Sequence, residues 1–290
     1  MSQSLVDQNI HIVWATKELE FNIPDKILLE LYPFIAKTIK TNNGYLYAIG
    51  GSTNHLHLLT RLPSDISLSA YMQMIKSFSS NWLRKTGLVE PSFHWQDGYS
   101  AFSVQEDRIL SVTNYIERDH LQHREKSYED ELRDLLKQQS ILFKSEYLLK
   151  TTYTKLLTHL IWSTKSRQPC LNKEIRPELY RHIETCLTEE RGKLIEIGGI
   201  DDHIHLLIDT PKHVPLCEIV KSLKTKSNHW IQNNSSIKDF SWQKGFAGFS
   251  VSLGSKDAVR KYIQQQEEHH RVKSSQEEWD DFIKKTGIAM

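Results

Sequence analysis

Apolar positions along the chain change period several times, and each change marks an element. Residues 8–16 and 156–164 alternate or run apolar, which predicts strands. Over 24–41 and 172–190 charged residues interleave with apolar ones at helical spacing, with Pro24 near one start and Gly44 and Gly192 beyond the ends. YLYAIGG (45–51) and LIEIGG (194–199) read as strands, each followed by a turn and a further strand, HLHLL at 55–59 and HIHLL at 203–207. SLSAYMQMIKSFSSNWLRK and PLCEIVKSLKTKSNHWIQ carry amphipathic helical patterns, and SAFSV and AGFSV read as short strands. Helices are predicted over 106–123 and 253–271, with closing helices over 128–137 and 275–285, and 137–155 as the join. The order strand, helix, strand, strand, helix, strand, helix occurs twice. That is a ferredoxin-like plan on an antiparallel sheet, so the predicted class is α+β.

The repetition extends to the residues themselves. With a shift of 148 (203 minus 55), HIVWATK at 11–17 falls on HLIWSTK at 159–165, and IGGSTNHLHLL at 49–59 on IGGIDDHIHLL at 197–207. With a shift of 147, WQDGYSAFSV at 95–104 falls on WQKGFAGFSV at 242–251, and NYIERDHLQHREKS at 114–127 on KYIQQQEEHHRVKS at 261–274. A period this long means two copies of one domain rather than a solenoid. The expected domains are residues 1–150 and 151–290.

Residues two apart on a strand share a face. His55 therefore stands beside His57, and His203 beside His205. Paired neutral imidazoles can hold one metal ion if a further ligand comes from elsewhere. Half-buried face histidines are the bland alternative for one pair alone, and recurrence in both copies favours the metal. On the late helix Tyr262 and Gln266 are four apart and share a face, and the first copy holds Tyr115 and Asp119 there. Glutamine or aspartate offers an oxygen ligand, and a tyrosine hydroxyl is a possible nucleophile.

Composition narrows the setting. The 290 residues carry a formal net charge of +1, so a polyanion would have to meet a local basic patch. Candidates for DNA contact are Lys76, Arg84 and Lys85 in one copy and Lys221, Lys224 and Lys226 in the other. Trp82, Trp95, Trp230 and Trp242 recur at matching places and are expected to pack the core rather than stack on bases. His120, His123, His269 and His270 on the tyrosine helix are expected at the surface or in caps, and SYEDELRDLL and SSQEEWDDFI read as closing amphipathic helices without chemistry. The three cysteines lie in the second half with no CxxC pair, which indicates free thiols in a reducing compartment. No secretory pattern or membrane-length apolar run is visible, so a cytoplasmic location is expected.

The ordered set of strand HxH, the WQxG segment with its AFSV or GFSV strand, and a YIxxQxxHH helix resembles the single-tyrosine HUH transposases. These are insertion-sequence transposases of single-stranded DNA, with REP-associated tyrosine transposases as relatives. The resemblance covers nearly all of both halves and is closer in the second. It implies that the HxH histidines and the glutamine after the tyrosine bind Mg2+ or Mn2+. It further implies that the tyrosine attacks a phosphodiester, leaving a 5′-phosphotyrosyl DNA and a free 3′-OH, on single-stranded DNA with a hairpin. Family members pair, each completing the other's site, so a tandem fusion resembles a dimer in one chain, expected to be monomeric. Two crossed sites are then expected: His55, His57, Tyr262 and Gln266 in one, His203, His205, Tyr115 and Asp119 in the other. Asp119 departs from the family glutamine, though a carboxylate still binds metal. The competing readings are a domesticated protein that binds hairpin DNA without cutting it and a metal-dependent hydrolase of small molecules.

Overall fold

The computed structural model describes residues 4–87, 89–118, 127–272 and 277–278. Ten strands appear among them: β1 Leu5–Asp7, β2 Asn9–Ala15, β3 Tyr45–Ser52, β4 His55–Arg61, β5 Ser100–Ser103, β6 Tyr153–Lys155, β7 Leu157–Ser163, β8 Lys193–Gly199, β9 His203–Asp209 and β10 Ala247–Ser250. The helices are α1 Asp25–Thr41, α2 Leu68–Thr86, α3 Ile109–Glu117, α4 Tyr128–Gln138, α5 Arg176–Glu189, α6 Leu216–Asn234, α7 Lys256–Gln264 and α8 Gln266–His269.

In the first half the strand order is β3-β4-β2-β5, with every neighbour antiparallel. Helix α1 links β2 to β3 and α2 links β4 to β5, so each crossover passes over one strand. This is the split βαβ arrangement of a ferredoxin-like sheet. The second half repeats it as β8-β9-β7-β10. Each sheet gains a fifth, parallel strand from beyond its own half: β6 joins β5, and β1 joins β10. The compact units are accordingly Gln8–Leu156 and Met1–Asp7 with Leu157–Met290. The short strands Leu5–Asp7 and Tyr153–Lys155 are copies of one another at the same 148-residue offset, and they have exchanged sheets.

Strand alternation divides each sheet into two faces. Ile10, Ile12, Trp14, Leu56 and Leu58 enter the main core with α1 and α2. Fully burying each such side chain contributes about 1.5–3 kcal/mol. The intervening positions face the other way, where Leu59 packs with Ile116 and Tyr115 of α3, and Val13 and Ala15 with Leu132 and Leu136 of α4. The second half repeats this: Ile204, Leu206 and Ile208 join α5 and α6, while Leu207 meets Ile263 and Tyr262 of α7. The histidines of the HxH strands share the face of Leu59 and Leu207, beneath the tyrosine helices.

The late helices start later than the periodicity indicates. A 3-10 turn, Glu106–Arg108, precedes α3. In the second half the path breaks at Gln265, whose N–H reaches both Lys261 O and Tyr262 O, and resumes as α8. The expected closing helix of the first half is α4, started by Ser127, whose hydroxyl accepts from the Asp130 N–H. No helix of the described residues is long and apolar enough to cross a membrane.

Candidate functional site

Two features bring a tyrosine helix close to each histidine pair. Across the β3–β4 ladder Gly50 is the partner of His57, and across β8–β9 Gly198 is the partner of His205. A Cβ on Gly50 would lie 2.5 Å from the Ile116 carbonyl oxygen, and one on Gly198 would lie 2.4 Å from that of Ile263. Any side chain there would push the helix away. Ile116 and Ile263 immediately follow Tyr115 and Tyr262, so these glycines seat the phenol rings against the imidazoles. The ring centroids are 5.7 Å apart for His57–Tyr115 and 5.8 Å for His205–Tyr262.

The imidazoles are buried and held at Nδ1. In the first half His57 Nδ1 lies 3.0 Å from His11 Nε2, and His55 Nδ1 lies 2.9 Å from Asn54 Oδ1 and 3.0 Å from Ser52 Oγ. In the second half His205 Nδ1 lies 2.9 Å from His159 Nε2, and His203 Nδ1 lies 2.6 Å from Asp202 Oδ1. A partner at Nδ1 fixes the ring orientation and directs Nε2 inward. His11 and His159 were present in the repeated HIVWATK and HLIWSTK segments, but strand alternation alone did not show that they back the HxH pair.

The structure corrects the reading of the closing segments. Each contributes a buried glutamate to the site, Glu131 at 4% exposure and Glu278 at 5%. Tyr115 donates its hydroxyl hydrogen bond to Glu131 Oε1, and Tyr262 donates to Glu278 Oε1. Glu131 also lies 3.7 Å from His55 Nε2 and 3.4 Å from His57 Nε2. Glu278 Oε2 lies 3.5 Å from His203 Nε2 and 3.6 Å from His205 Nε2. His270 joins this cluster, its Nε2 3.3 Å from Glu278 Oε2, while His269 stands at its edge, 3.9 Å from Glu278 Oε1 and partly exposed. Gln266, buried as well, spans from His203 Nε2 (3.4 Å) to Glu278 Oε1 (3.3 Å). Asp119, His120 and His123 lie outside the described residues.

Each tyrosine sits with the histidines of its own half. Tyr115 is beside His57, and Tyr262 and Gln266 are beside His205 and His203.

Electrostatics match a cation-binding state. Burial pushes His205 down to about 4 and His159 well below the ordinary histidine value, so both rings are neutral at pH 7. Burial pushes the Glu278 carboxyl up, but His205, the Tyr262 hydroxyl and His203 overcome it and hold the group well below the usual range. The donor atoms of His55, His57 and Glu131 lie within 4.8 Å of one another, a spacing one divalent cation can span. His203, His270 and Glu278 form a second such group. The residues therefore fit a divalent ion.

Lys76 Nζ donates to the carbonyls of Gln96 (2.8 Å), Asp97 (3.2 Å) and Gly98 (2.7 Å), and Lys224 Nζ to those of Gln243 (3.0 Å) and Gly245. Burial pulls these ammonium groups down, Lys76 to about 7 against the opposing charge of Asp97, and Lys224 to about 8. Both lysines pin the WQxG segment. Arg84 donates to Phe93 O at 2.9 Å. Lys221 pairs with Glu218, Lys226 pairs with Glu189, and Lys85 is exposed. Exposed pairs of this kind are weak and exchangeable. Trp95 and Trp242 are buried and donate to Ser79 and Ser227, both at 2.9 Å, while Trp82 and Trp230 stack on Phe34 and His182. All four tryptophans pack as expected.

A model of the family described as IS200-like transposases matches the chain twice, over residues 4–119 and 152–266. The chain belongs to the IS200-like transposase family. The two matched segments contain both HxH pairs, both tyrosines and Gln266, and they end before Glu131, His270 and Glu278. Among solved structures, a candidate transposase from Deinococcus radiodurans R1 is 28% identical over 39% of this chain and 91% of its own, with a TM-score of 0.32. A REP-associated tyrosine transposase bound to a REP hairpin is 14% identical over 40% of this chain and 68% of its own, with a TM-score of 0.34. Comparison with curated proteins gives no match.

Proposed function

We propose that the chain cuts and rejoins single-stranded DNA through a covalent 5′-phosphotyrosine intermediate. Tyr115 and Tyr262 are the nucleophiles, and His55, His57 and Glu131 in one half, and His203, His205 and Gln266 in the other, belong to the metal sites. One observation carries this reading: in each half a tyrosine hydroxyl and two imidazole Nε2 atoms converge on the same buried glutamate.

A divalent cation bound there supplies Lewis-acid stabilisation of the phosphate's developing charge. The chain's own part is positioning. The phenol oxygen attacks phosphorus as its proton leaves, a bond forms between the tyrosine oxygen and phosphorus, and the bond from phosphorus to the 3′-oxygen breaks. That oxygen takes up a proton and departs as a free 3′-OH, and the reverse step rejoins strands without a nucleotide cofactor. The neutral His205 imidazole keeps its site able to bind a cation at physiological pH. The presence of a hairpin-bound REP-associated tyrosine transposase among similar structures prompts the choice of hairpin-bearing single strands as substrate. The proposed working form is a single chain carrying both tyrosine sites, in domains close to residues 1–150 and 151–290.

The test is a denaturing gel with end-labelled, hairpin-bearing single strands and a divalent cation. A covalent adduct on the wild type, lost in the Tyr115→Phe/Tyr262→Phe double variant, supports the reading. Tight binding of the strand without cleavage by the wild type supports instead a non-cleaving DNA-binding protein.

A further inference from the structure

Helix α8 has only four residues, too few to hold itself once the path has broken at Gln265. Its first residue, Gln266, is nonetheless 1% exposed and stands at His203 Nε2. A tie from outside the helix is needed to fix it there, and Arg176, the first residue of α5, supplies one. Arg176 is 7% exposed, and its planar fork works in two directions. Nη1 donates to the carbonyl of Gly199, the last residue of β8, at 2.7 Å. Nη2 donates at 3.0 Å to Oε1 of Glu267, the residue after Gln266, and lies 3.5 Å from Asp201 Oδ1. Gly199 and Asp201 lie on the path from β8 into His203, so one side chain ties that path to the helix carrying Gln266. Lys173 Nζ donates to the other Glu267 oxygen at 2.6 Å and completes the clamp.

The first-half sequence has other residue types at every matching position. At the 148-residue offset Arg176 falls on Leu28, Lys173 on Asp25 and Asp201 on Thr53. At the 147-residue offset Glu267 falls on His120 and Gln266 on Asp119. Leu28 is buried in the main core of its half, so leucine satisfies the packing demand at this place in the fold. A buried guanidinium costs desolvation that leucine avoids. Its presence together with Glu267 in one copy, and the replacement of both in the other, mark a pair that does more than fill space.

We propose that Arg176 is a positioning residue for the reaction of the second half: paired with Glu267, it holds Gln266 at His203 and so sets the geometry in which Tyr262 reacts. It rests on the proposed cleavage by Tyr262 and adds a residue that acts through Glu267.

Two readouts on the full chain, in a Tyr115→Phe background, test the clamp. The first uses neither DNA nor metal. Arg176→Leu, which substitutes the residue type of the first half, should speed amide exchange at His269 and His270, whose N–H groups donate to Gln265 and Gln266. Leu206 and Leu207 in β9 should keep the parent's protection. The second readout is single-turnover adduct formation by Tyr262 on a hairpin-bearing single strand with a divalent cation. Arg176→Leu should slow it about 10–100-fold while the Kd for the strand stays unchanged. Arg176→Lys keeps the charge without the fork and should fall between the two. Glu267→Leu added to Arg176→Leu should bring little further loss, because the pair acts as a unit. A substitution that merely weakened the fold would loosen β9 too, and would lower the amount of protein that reacts rather than its rate. Unchanged exchange at His269 and His270 overturns the clamp. Faster exchange with adduct formation at the parent rate overturns its part in the reaction. Absence of any adduct from the parent overturns the cleavage reading and with it the catalytic consequence, and the exchange result then judges the clamp alone.

Discussion

Replacing Gly198 with alanine places a methyl group between strand β8 and the tyrosine helix α7. The new Cβ would stand 2.4 Å from the Ile263 carbonyl oxygen, whereas ordinary contact begins at 3.4 Å. The obstruction is backbone, so no side chain can swing aside, and the helix must retreat by about 1 Å, at an overpacking cost of about 1–3 kcal/mol. Tyr262 precedes Ile263 and moves with it, away from His205 and Glu278. A displacement of about 1 Å at a reacting group costs on the order of 100-fold in rate. The assay is single-turnover adduct formation on hairpin-bearing single-stranded DNA, in a Tyr115→Phe background so that Tyr262 alone reacts, with melting curves to confirm folding. Gly254→Ala is the control, since its Cβ meets nothing within 4 Å. Adduct formation by Gly198→Ala at the parent rate, or equal slowing by Gly254→Ala, would refute the argument that this glycine seats the nucleophile.

Three further outcomes follow from the geometry. His159→Ala removes the 2.9 Å contact to His205 Nδ1 and should weaken divalent-cation binding about 10–100-fold by calorimetric titration, and unchanged affinity would show that His159 does not orient the ligand. Deleting residues 1–7 removes β1 from β10 and should speed amide exchange at Ala247–Phe249 while sparing Ser100–Phe102, where the same measurement serves as the internal control. In metal-free protein His205 has a folded pKa of about 4 against an ordinary value of 6.5, so between these pH values the unfolded chain binds a proton that the folded chain does not. Stability should therefore fall as pH drops from about 6.5 to 4, by up to about 3 kcal/mol from this group, with the depressed Glu278 adding its loss only below about pH 4.5; melting curves flat across that window would contradict the neutral buried imidazole.

The sequence made the duplication, the strand–helix order and the paired histidines of the HxH strands readable, because period and repetition both survive in residue identities. Three features escaped it for physical reasons. Leu5–Asp7 and Tyr153–Lys155 are three-residue strands, too short to show a period, so their exchange between sheets left no mark in the pattern. Glu131 and Glu278 sit in acidic runs that resemble a solvated helix face, and burial of one carboxylate among several is set by the tertiary contact with the imidazoles. A shared position at the 147-residue offset was the one available signal. Lys76 and Lys224 look like phosphate-binding charges in a helical pattern, yet both turn toward carbonyls of the WQxG segment, an acceptor set that composition does not reveal. Grouping each tyrosine with the histidines of its own half likewise depends on Gly50 and Gly198 admitting a helix backbone.

The central claim is that a phenol held at an imidazole pair becomes bonded to DNA. Peptide mapping by mass spectrometry, after reaction of the full chain with a hairpin-bearing single strand and a divalent cation, tests it directly. The account predicts a nucleotide attached through a 5′-phosphate to Tyr262, to Tyr115, or to both. Cleaved DNA with both tyrosines unmodified, or a nucleotide attached to any other side chain, would contradict it.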